Sequence, residues 1–446
     1  MVKSGVCVKK SEELYRKAIE LIPGGVNSGL RGPLYGIIPG IHPMYIESAK
    51  GSKIYDVDGN EFIDYILGYG PIILGHAHPK VNAAVQEQLK KGTVYGLSTE
   101  NEIKLAEKIV KMVPCADMVR FTTTGTEANM GAVRIARAYT GKDKIARFDI
   151  AYHGWSDSFL ISAAGGLPIN YYKIASPGIP KSAFEDTIIL PWNNIELVEK
   201  ILQRHSNEIA VVITEIFGEG WVAPKKGFLD SLRKLTEELD ILLLFDEVKT
   251  GFRLAPGGAQ EYFGIVPDLA TFGKALGNGF PIAAITGKKK IMENIADKLT
   301  ISATFNACPL SVTAALATLT ELEAGGISLY QRFREIGRRL KKGITDAIQD
   351  LRIEAIVEGS EVMFRIAFTQ LENITTFSEY KTLDEHQNKR KNFIFSREYV
   401  KRGILGHPNH AWCLSMAHTE DDIEKTILAI YSSLKEVKKV KFWGFL

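Results

Sequence analysis

Ile241-Leu242-Leu243-Leu244-Phe245-Asp246-Glu247 is an uninterrupted apolar run that ends on two carboxylates. A run this short and this apolar reads as a strand buried on both faces, the kind that fills parallel sheets. Similar runs at 144–148 and 209–214 precede it, and a shorter one lies at 118–122. Helical periodicity over 80–91, 100–113, 127–139, 197–204 and 228–239 separates or flanks them. Strands alternating with helices predict an α/β domain with a mostly parallel sheet covered on both faces. Such sheets bind ligands beyond the carboxyl ends of their strands, so the residues just after each run hold the functional question.

Outward from this block, 11–22 carries Leu14, Ala18, Leu21 and Ile22 at helical spacing, and Pro23-Gly24-Gly25 closes it. The Gly- and Pro-rich stretch 24–40 reads as an irregular loop, and 52–65, with its Asp58-Gly59-Asn60 turn, as a hairpin. From about 328 the chain is more charged: a helix over 328–349, strands within 353–367, a long polar helix over 378–402 and a last helix over 420–436. The expected organisation is an N-terminal segment 1–70 joining the small domain, a large domain 71–325 and a smaller C-terminal α+β domain 326–446. The boundary falls near Gly325-Gly326.

A chain of 446 residues exceeds the size at which one core stops growing, which fits a large domain plus a small one. Its net charge of +3 gives no preference for nucleic acid or an acidic membrane surface. The polar run Lys9-Lys10-Ser11-Glu12-Glu13 argues against a signal-peptide core, and no apolar run reaches the roughly 20 residues of a membrane helix. Cys7, Cys115, Cys308 and Cys413 are far apart and form no CxxC pair. The expectation is a cytoplasmic protein without a disulfide framework or zinc knuckle.

Four places carry chemistry. Thr122-Thr123-Thr124-Gly125-Thr126-Glu127-Ala128-Asn129 joins a short strand to a helix, where small residues and unpaired N–H groups suit a phosphate. An ordinary Thr N-cap with a turn glycine explains the same residues. Asp246 stands at the mouth of a buried strand, where a carboxylate benefits from a cationic partner such as a protonated pyridine nitrogen; a cap or a salt bridge is the plainer reading. Lys274 is the only charged residue between Asp268 and Lys288, set among apolar and Gly-rich flanks. Burial there favours the neutral amine that attacks an aldehyde, although most lysines simply reach the surface. Tyr152-His153-Gly154 follows the run 144–148, where an aromatic ring can stack on a planar cofactor or serve as core. Glu215 is a further carboxylate at a strand mouth.

In this order the four match what pyridoxal 5′-phosphate requires: an anchored phosphate, a stacked ring, a neutralised pyridinium and a bonded aldehyde. A dinucleotide fingerprint is missing, since Gly277-Asn278-Gly279-Phe280-Pro281-Ile282 lacks the third glycine, and no GxxxxGK[ST] loop occurs.

The residues resemble the class III aminotransferases of the fold-type I pyridoxal-phosphate family, and within them glutamate-1-semialdehyde aminomutases and their close aminotransferase relatives. The likeness runs through Gly24-Gly25-Val26-Asn27-Ser28, Gly70-Pro71-Ile72-Ile73-Leu74-Gly75-His76-Ala77-His78-Pro79, Thr124-Gly125-Thr126-Glu127-Ala128 and Tyr152-His153-Gly154. It continues in Phe245-Asp246-Glu247-Val248-Lys249-Thr250-Gly251-Phe252-Arg253, Gly273-Lys274 and Ala417-His418-Thr419-Glu420-Asp421-Asp422-Ile423. The resemblance implies that Lys274 bonds the cofactor and then shuttles protons, and that Asp246 holds the ring nitrogen protonated. Val248 would pack behind the ring, with Tyr152 in front and His153 and Glu215 beside it. Gly125 and Thr126 would bind the phosphate, joined by Thr304 from the second subunit of a homodimer. Arg31 would clamp a substrate carboxylate, for which its bidentate geometry is suited. Ser28, Tyr69 and His410 complete the implied substrate contacts.

The chain also departs from the aminomutase pattern. It reads Ala303-Thr304-Phe305-Asn306-Ala307-Cys308-Pro309, Ala163-Ala164-Gly165-Gly166 and Gly68-Tyr69-Gly70 where those enzymes favour other residues. At His410 they tend to place a glutamate, and an imidazole in its stead weakens the hold on a diamino intermediate. On that ground the leading expectation is a ping-pong aminotransferase acting on an amino acid, β-amino and aromatic donors included, and a keto acid. Glutamate-1-semialdehyde 2,1-aminomutase is the alternative, and an amino-acid racemase the second.

Overall fold

In a computed structural model the described residues are 6–163, 172–174, 176–293, 299–384 and 386–440. Most of the 163–166 departure and the first five residues lie outside them. The chain divides into two compact units: Pro79–Tyr330 with Thr375–Tyr380, and Met1–His78 with Gln331–Ile374 and Lys381–Leu446.

The larger unit is built on seven strands: β1 (Met118–Thr122), β2 (Lys144–Phe148), β3 (Thr187–Leu190), β4 (Ile209–Glu215), β5 (Leu242–Asp246), β6 (Leu269–Phe272) and β7 (Ala283–Gly287). Their order across the sheet is β1-β7-β6-β5-β4-β2-β3. β7 runs antiparallel to both its neighbours, and the pairs from β6 to β3 are all parallel. All seven residues of β4 and all five of β5 are buried, as their unbroken apolar runs require. β3, β6 and β7 escape the sequence reading because four- and five-residue pieces are too short to show a period, and Ala283–Gly287 is also rich in small residues.

One helix, Gly125–Thr140, lies across the sheet and begins near the carboxyl edge of its strands. Ala128, Ala132 and Ala136 recur every four residues and lie fully buried against Ile145, Ile213, Leu244 and Ile285. A Cβ at Gly131 would fall 2.6 Å from Ile285 Cδ1. Small side chains therefore let the helix lie close on the sheet, and they bring Asn129 within reach of strand ends.

The other unit holds a four-stranded sheet, in which Ile46–Lys50, Lys53–Asp56 and Glu61–Asp64 are antiparallel and Ile404–Leu405 adds in parallel to the last. Asp58-Gly59-Asn60 makes the expected hairpin turn. A three-stranded sheet comprises Ala355–Gly359, Met363–Phe368 and Trp412–Cys413.

The unit boundaries differ from the sequence expectation in ways the contacts explain. Residues up to His78 belong with the N-terminal sheet, since Gly51 bridges His76, and His76 pairs with Asp64 at 2.8 Å. Gly326 kinks the long helix Pro309–Leu351 without ending the larger unit, because Tyr330 beyond it donates to Phe252 O at 2.8 Å. The expected polar helix over 378–402 is broken into Phe377–Lys381, a short turn and His386–Val400. Thr375–Tyr380 groups with the larger unit, where Asn193 Nδ2 donates to Thr375 O and Tyr380 meets the Trp221 ring. Among the described residues no helix is long and apolar enough to cross a membrane.

The close helix–sheet contact predicts that Gly131→Val destabilises the protein by about 1–3 kcal/mol through overpacking. Thermal unfolding of the variant reads this.

Candidate active site

Strand register puts three chemical groups in one row at the carboxyl edge of the sheet. Asp246 is level with Glu215 on one side and Thr271 on the other. Asp246 Oδ2 accepts from Asn129 Nδ2 and pairs with His153 Nδ1, each at 2.8 Å, while Oδ1 accepts the Val248 N–H at 3.1 Å. Burial alone would raise this carboxyl. His153, Val248 N–H and Asn129 overcome that and hold it below the ordinary carboxylate range. Asn129 is itself fixed, donating to His153 O at 3.0 Å and accepting from Thr271 Oγ1 at 2.6 Å.

Glu215 serves a different purpose. Oε2 accepts the Tyr152 N–H at 3.0 Å and Oε1 meets Lys249 Nζ at 3.2 Å. Burial raises its carboxyl, Lys249 opposes that, and the like charges of Asp246 and Glu219 add to the rise. The Tyr152 side chain is 49% exposed, available to whatever lies over it. The segment that carries it is clamped from behind by buried Arg147, which donates to the carbonyls of Ala151, Phe159 and Ile161. Burial lowers Arg147 to about 10, still charged at neutral pH.

The anion cradle is the N-terminus of Gly125–Thr140. Thr124 caps it by accepting from Glu127 N, and Glu127 Oε2 in return accepts from Thr123 N and Thr124 N. The N–H groups of Gly125 and Thr126, in the first turn, have no intrahelical acceptor. Gly154 closes on Thr126 so tightly that a Cβ there would collide with the Thr126 hydroxyl and backbone. Val248 joins this cradle to the lysine segment: a Cβ at Gly125 would lie 3.0 Å from both Val248 methyl carbons, and one at Gly273 would lie 3.4 Å from Val248 Cγ1.

Lys274 follows β6 at the same edge. Gly273 is extended, and Lys274 then takes φ 42°, uncommon for a residue with a side chain, to open the short turn Lys274–Gly277. Ala275, Leu276 and Gly277 are buried, so the half-buried lysine is the polar exception in an apolar turn.

Of the residues expected from the sequence, Gly125, Thr126, Tyr152, His153, Glu215, Asp246, Val248 and Lys274 all lie at this one sheet edge in the larger unit. Thr304, in the same unit, is exposed in a turn closed by Asn306 N to Ala303 O. Arg31, Ser28, Tyr69 and His410 belong to the other unit, where Tyr69 meets the rings of His407 and His410 edge-on. Leu30 O accepts from Tyr69 Oη at 2.6 Å and lies 3.2 Å from His407 Nε2, which fixes the carbonyl next to Arg31. Burial lowers His407 to about 4, so this imidazole is neutral at working pH. The sequence reading missed Asn129, Arg147 and Lys249. Asn129 had a legible signal, a polar residue beside Ala128 on the face that carries Ala132 and Ala136.

The residues present fit pyridoxal 5′-phosphate. A buried carboxylate held ionised suits a ring N–H⁺, a helix N-terminus narrowed by Gly125 and Gly154 suits a phosphate, and an amine in an apolar turn suits an aldehyde. Fold and site together define a fold-type I pyridoxal-phosphate transferase. The chain belongs to the class-III aminotransferase family, whose model matches residues 39–387. It is 43% identical over 440 residues, 96% of this chain and 99% of its relative, to a glutamate-1-semialdehyde 2,1-aminomutase of Methanosphaera stadtmanae. Among solved structures it superposes on an omega-transaminase from Sphaerobacter thermophilus with TM-score 0.88, 30% identity and coverage of 96% and 97%. A transaminase with PLP bound gives TM-score 0.86, 28% identity and coverage of 97% and 98%. The cofactor expected from the sequence is that of the family.

Because Asn129 bonds both Asp246 and Thr271, Asn129→Leu leaves a buried carboxylate and hydroxyl short of partners. Cofactor affinity is expected to fall about tenfold, measured by titrating apoprotein with pyridoxal phosphate.

Proposed function

We propose that this enzyme moves an amino group between adjacent carbons of one molecule, as a glutamate-1-semialdehyde 2,1-aminomutase. The observation that carries the reading is whole-length likeness: 43% identity to an aminomutase over 96% of the chain. This reverses the order expected from the sequence, which rested on the single substitution at His410. One substrate-side position weighs less than likeness along the entire chain.

Bound pyridoxal phosphate supplies an aldehyde that takes up the substrate amine and a ring that accepts the electron pair freed when a C–H bond breaks. In our reading, Lys274 Nζ would hold the cofactor's aldehyde at rest and, once displaced by the substrate amine, would take up and return protons at the reacting carbons of substrate and cofactor. Asp246 keeps the ring nitrogen protonated, so that charge is drawn away from the reacting carbon. Gly125 and Thr126 N–H groups hold the phosphate, Val248 and Tyr152 flank the ring, and His153 orients Asp246. By likeness to the family, Arg31 would fix the substrate carboxylate, and Ser28, Tyr69 and His410 would be further substrate contacts. The active form is a homodimer in which Thr304 of each subunit reaches the other's phosphate. Its exposure, beside a Phe305 that is 57% exposed, supports a covered role in the assembly.

Transfer between two molecules is the second reading, favoured by His410 and by the 30% identity to an omega-transaminase. Purified holoenzyme given glutamate-1-semialdehyde alone is expected to form 5-aminolevulinate at a rate unaffected by pyruvate or 2-oxoglutarate. Strict dependence on an added acceptor, with parallel initial-velocity lines, would establish the second reading instead. Borohydride reduction of the holoenzyme is expected to tag Lys274 and to leave Lys274→Ala unlabelled, as peptide mass mapping would read.

A further inference from the structure

Lys249 has no part in the mechanism above, yet it is a lysine buried to 9% exposure beside the cofactor site. Its ammonium lies 3.2 Å from Glu215 Oε1, and the other oxygen of that carboxylate holds the Tyr152 N–H. Room for it is made by the turn at 217–222, where a Cβ on Gly220 would fall 3.1 Å from Lys249 Cδ and 3.2 Å from Nζ. Gly220 has φ +81°, a second reason for glycine there. The pair is therefore built into the fold rather than draped on its surface.

Glu215 needs a cation more than an isolated buried carboxylate would. Asp246 stands level with it on the adjacent strand, and Glu219 adds a further negative charge from the turn above. Facing it with positive or titratable character are Lys249, His153 and, from β2, Arg147. Arg147 spends its donors on three backbone carbonyls and His153 bonds Asp246. Among the described residues Lys249 is the one cation within ion-pair distance of Glu215.

We propose that Lys249 is a positioning residue for the cofactor site: it keeps Glu215 ionised, so that this carboxylate holds the Tyr152 backbone and presents Asp246 with a neutralised neighbour. The proposal rests on the cofactor site alone and is indifferent to which amino-group reaction the enzyme performs. Burial pushes Lys249 down, but Glu215, Glu219 and Asp246 more than reverse this, so it stays charged throughout the neutral range. Without it, Glu215 loses the charge that most opposes its rise, and its midpoint moves further up.

The sign follows from linkage. An acid whose folded midpoint is raised burdens the folded state above that midpoint and not below its unfolded value. Lys249→Met apoprotein is thus expected to melt below wild type by a margin that widens as pH rises above the ordinary carboxyl range and closes in acid. In the holoprotein, cofactor absorbance of Lys249→Met is expected to show an additional ionisation, above the ordinary carboxyl range, that is absent from wild type. Lys249→Arg should titrate as wild type. Glu215→Gln combined with Lys249→Met should lose both the extra ionisation and the pH-dependent melting deficit. A melting deficit independent of pH, or an extra ionisation that survives in the double variant, would overturn the proposal and leave Lys249 a packing residue. Should Lys249→Met not fold, the double variant decides: a folded, cofactor-binding protein supports the proposal, and an unfolded one refutes it.

Discussion

A buried carboxylate that stays ionised is the constraint on which the rest of this protein depends. Water normally solvates such a charge, and removing it costs several kcal/mol unless hydrogen bonds replace it. Asp246 receives those bonds from three separate parts of the chain: a helix through Asn129, a loop through His153 and the turn after its own strand through Val248 N–H. Each donor must arrive within a few tenths of an ångström. Satisfying Asp246 thus fixes the helix Gly125–Thr140, the segment after β2 and the turn after β5 relative to one another. The same segments carry the residues proposed to hold the phosphate and flank the ring.

Packing makes that convergence affordable. Ala128, Gly131, Ala132 and Ala136 give the helix a face thin enough to settle on the sheet, and Asn129 is the polar residue that this approach delivers to the strand ends. Larger residues on that face would fill the interior equally well by volume but hold the helix farther off. The core is accordingly specified by distance as much as by hydrophobicity.

β4 and β5 were legible in the sequence to within a residue, because double-sided burial leaves little but apolar residues at their core positions; β2 was placed as well, although Lys144 and Arg147 interrupt its apolar run. So were the chemical groups at their mouths. Ala283–Gly287 and Leu269–Phe272 were not, since short runs of small residues carry no period of their own. The polar helix expected over 378–402 was misjudged as continuous because periodicity does not register that residues 375–380 are held by Asn193 and Trp221. Asn129 and Lys249 went unnoticed for one shared reason. Their importance lies in partners more than a hundred and more than thirty positions away, at Asp246 and Glu215, which only the packing of the helix on the sheet and the folding of the turn after β5 bring within reach. The substrate-side residues Arg31, Ser28, Tyr69 and His410 came only through likeness to a family.

The reversed direction of β7 has a consequence for the lysine. In the parallel part of the sheet, a chain leaving the ligand edge must travel over one face and return from the far side, so its loops can lengthen or swing with little penalty. The stretch between β6 and β7 does neither, because both of its ends are anchored to adjacent strands at the same edge. Lys274 is tethered like a bead on a string pinned at two points, and what mobility it has belongs to its four-carbon arm. Neighbouring loops can be remodelled around new substrates while the amine stays where it was.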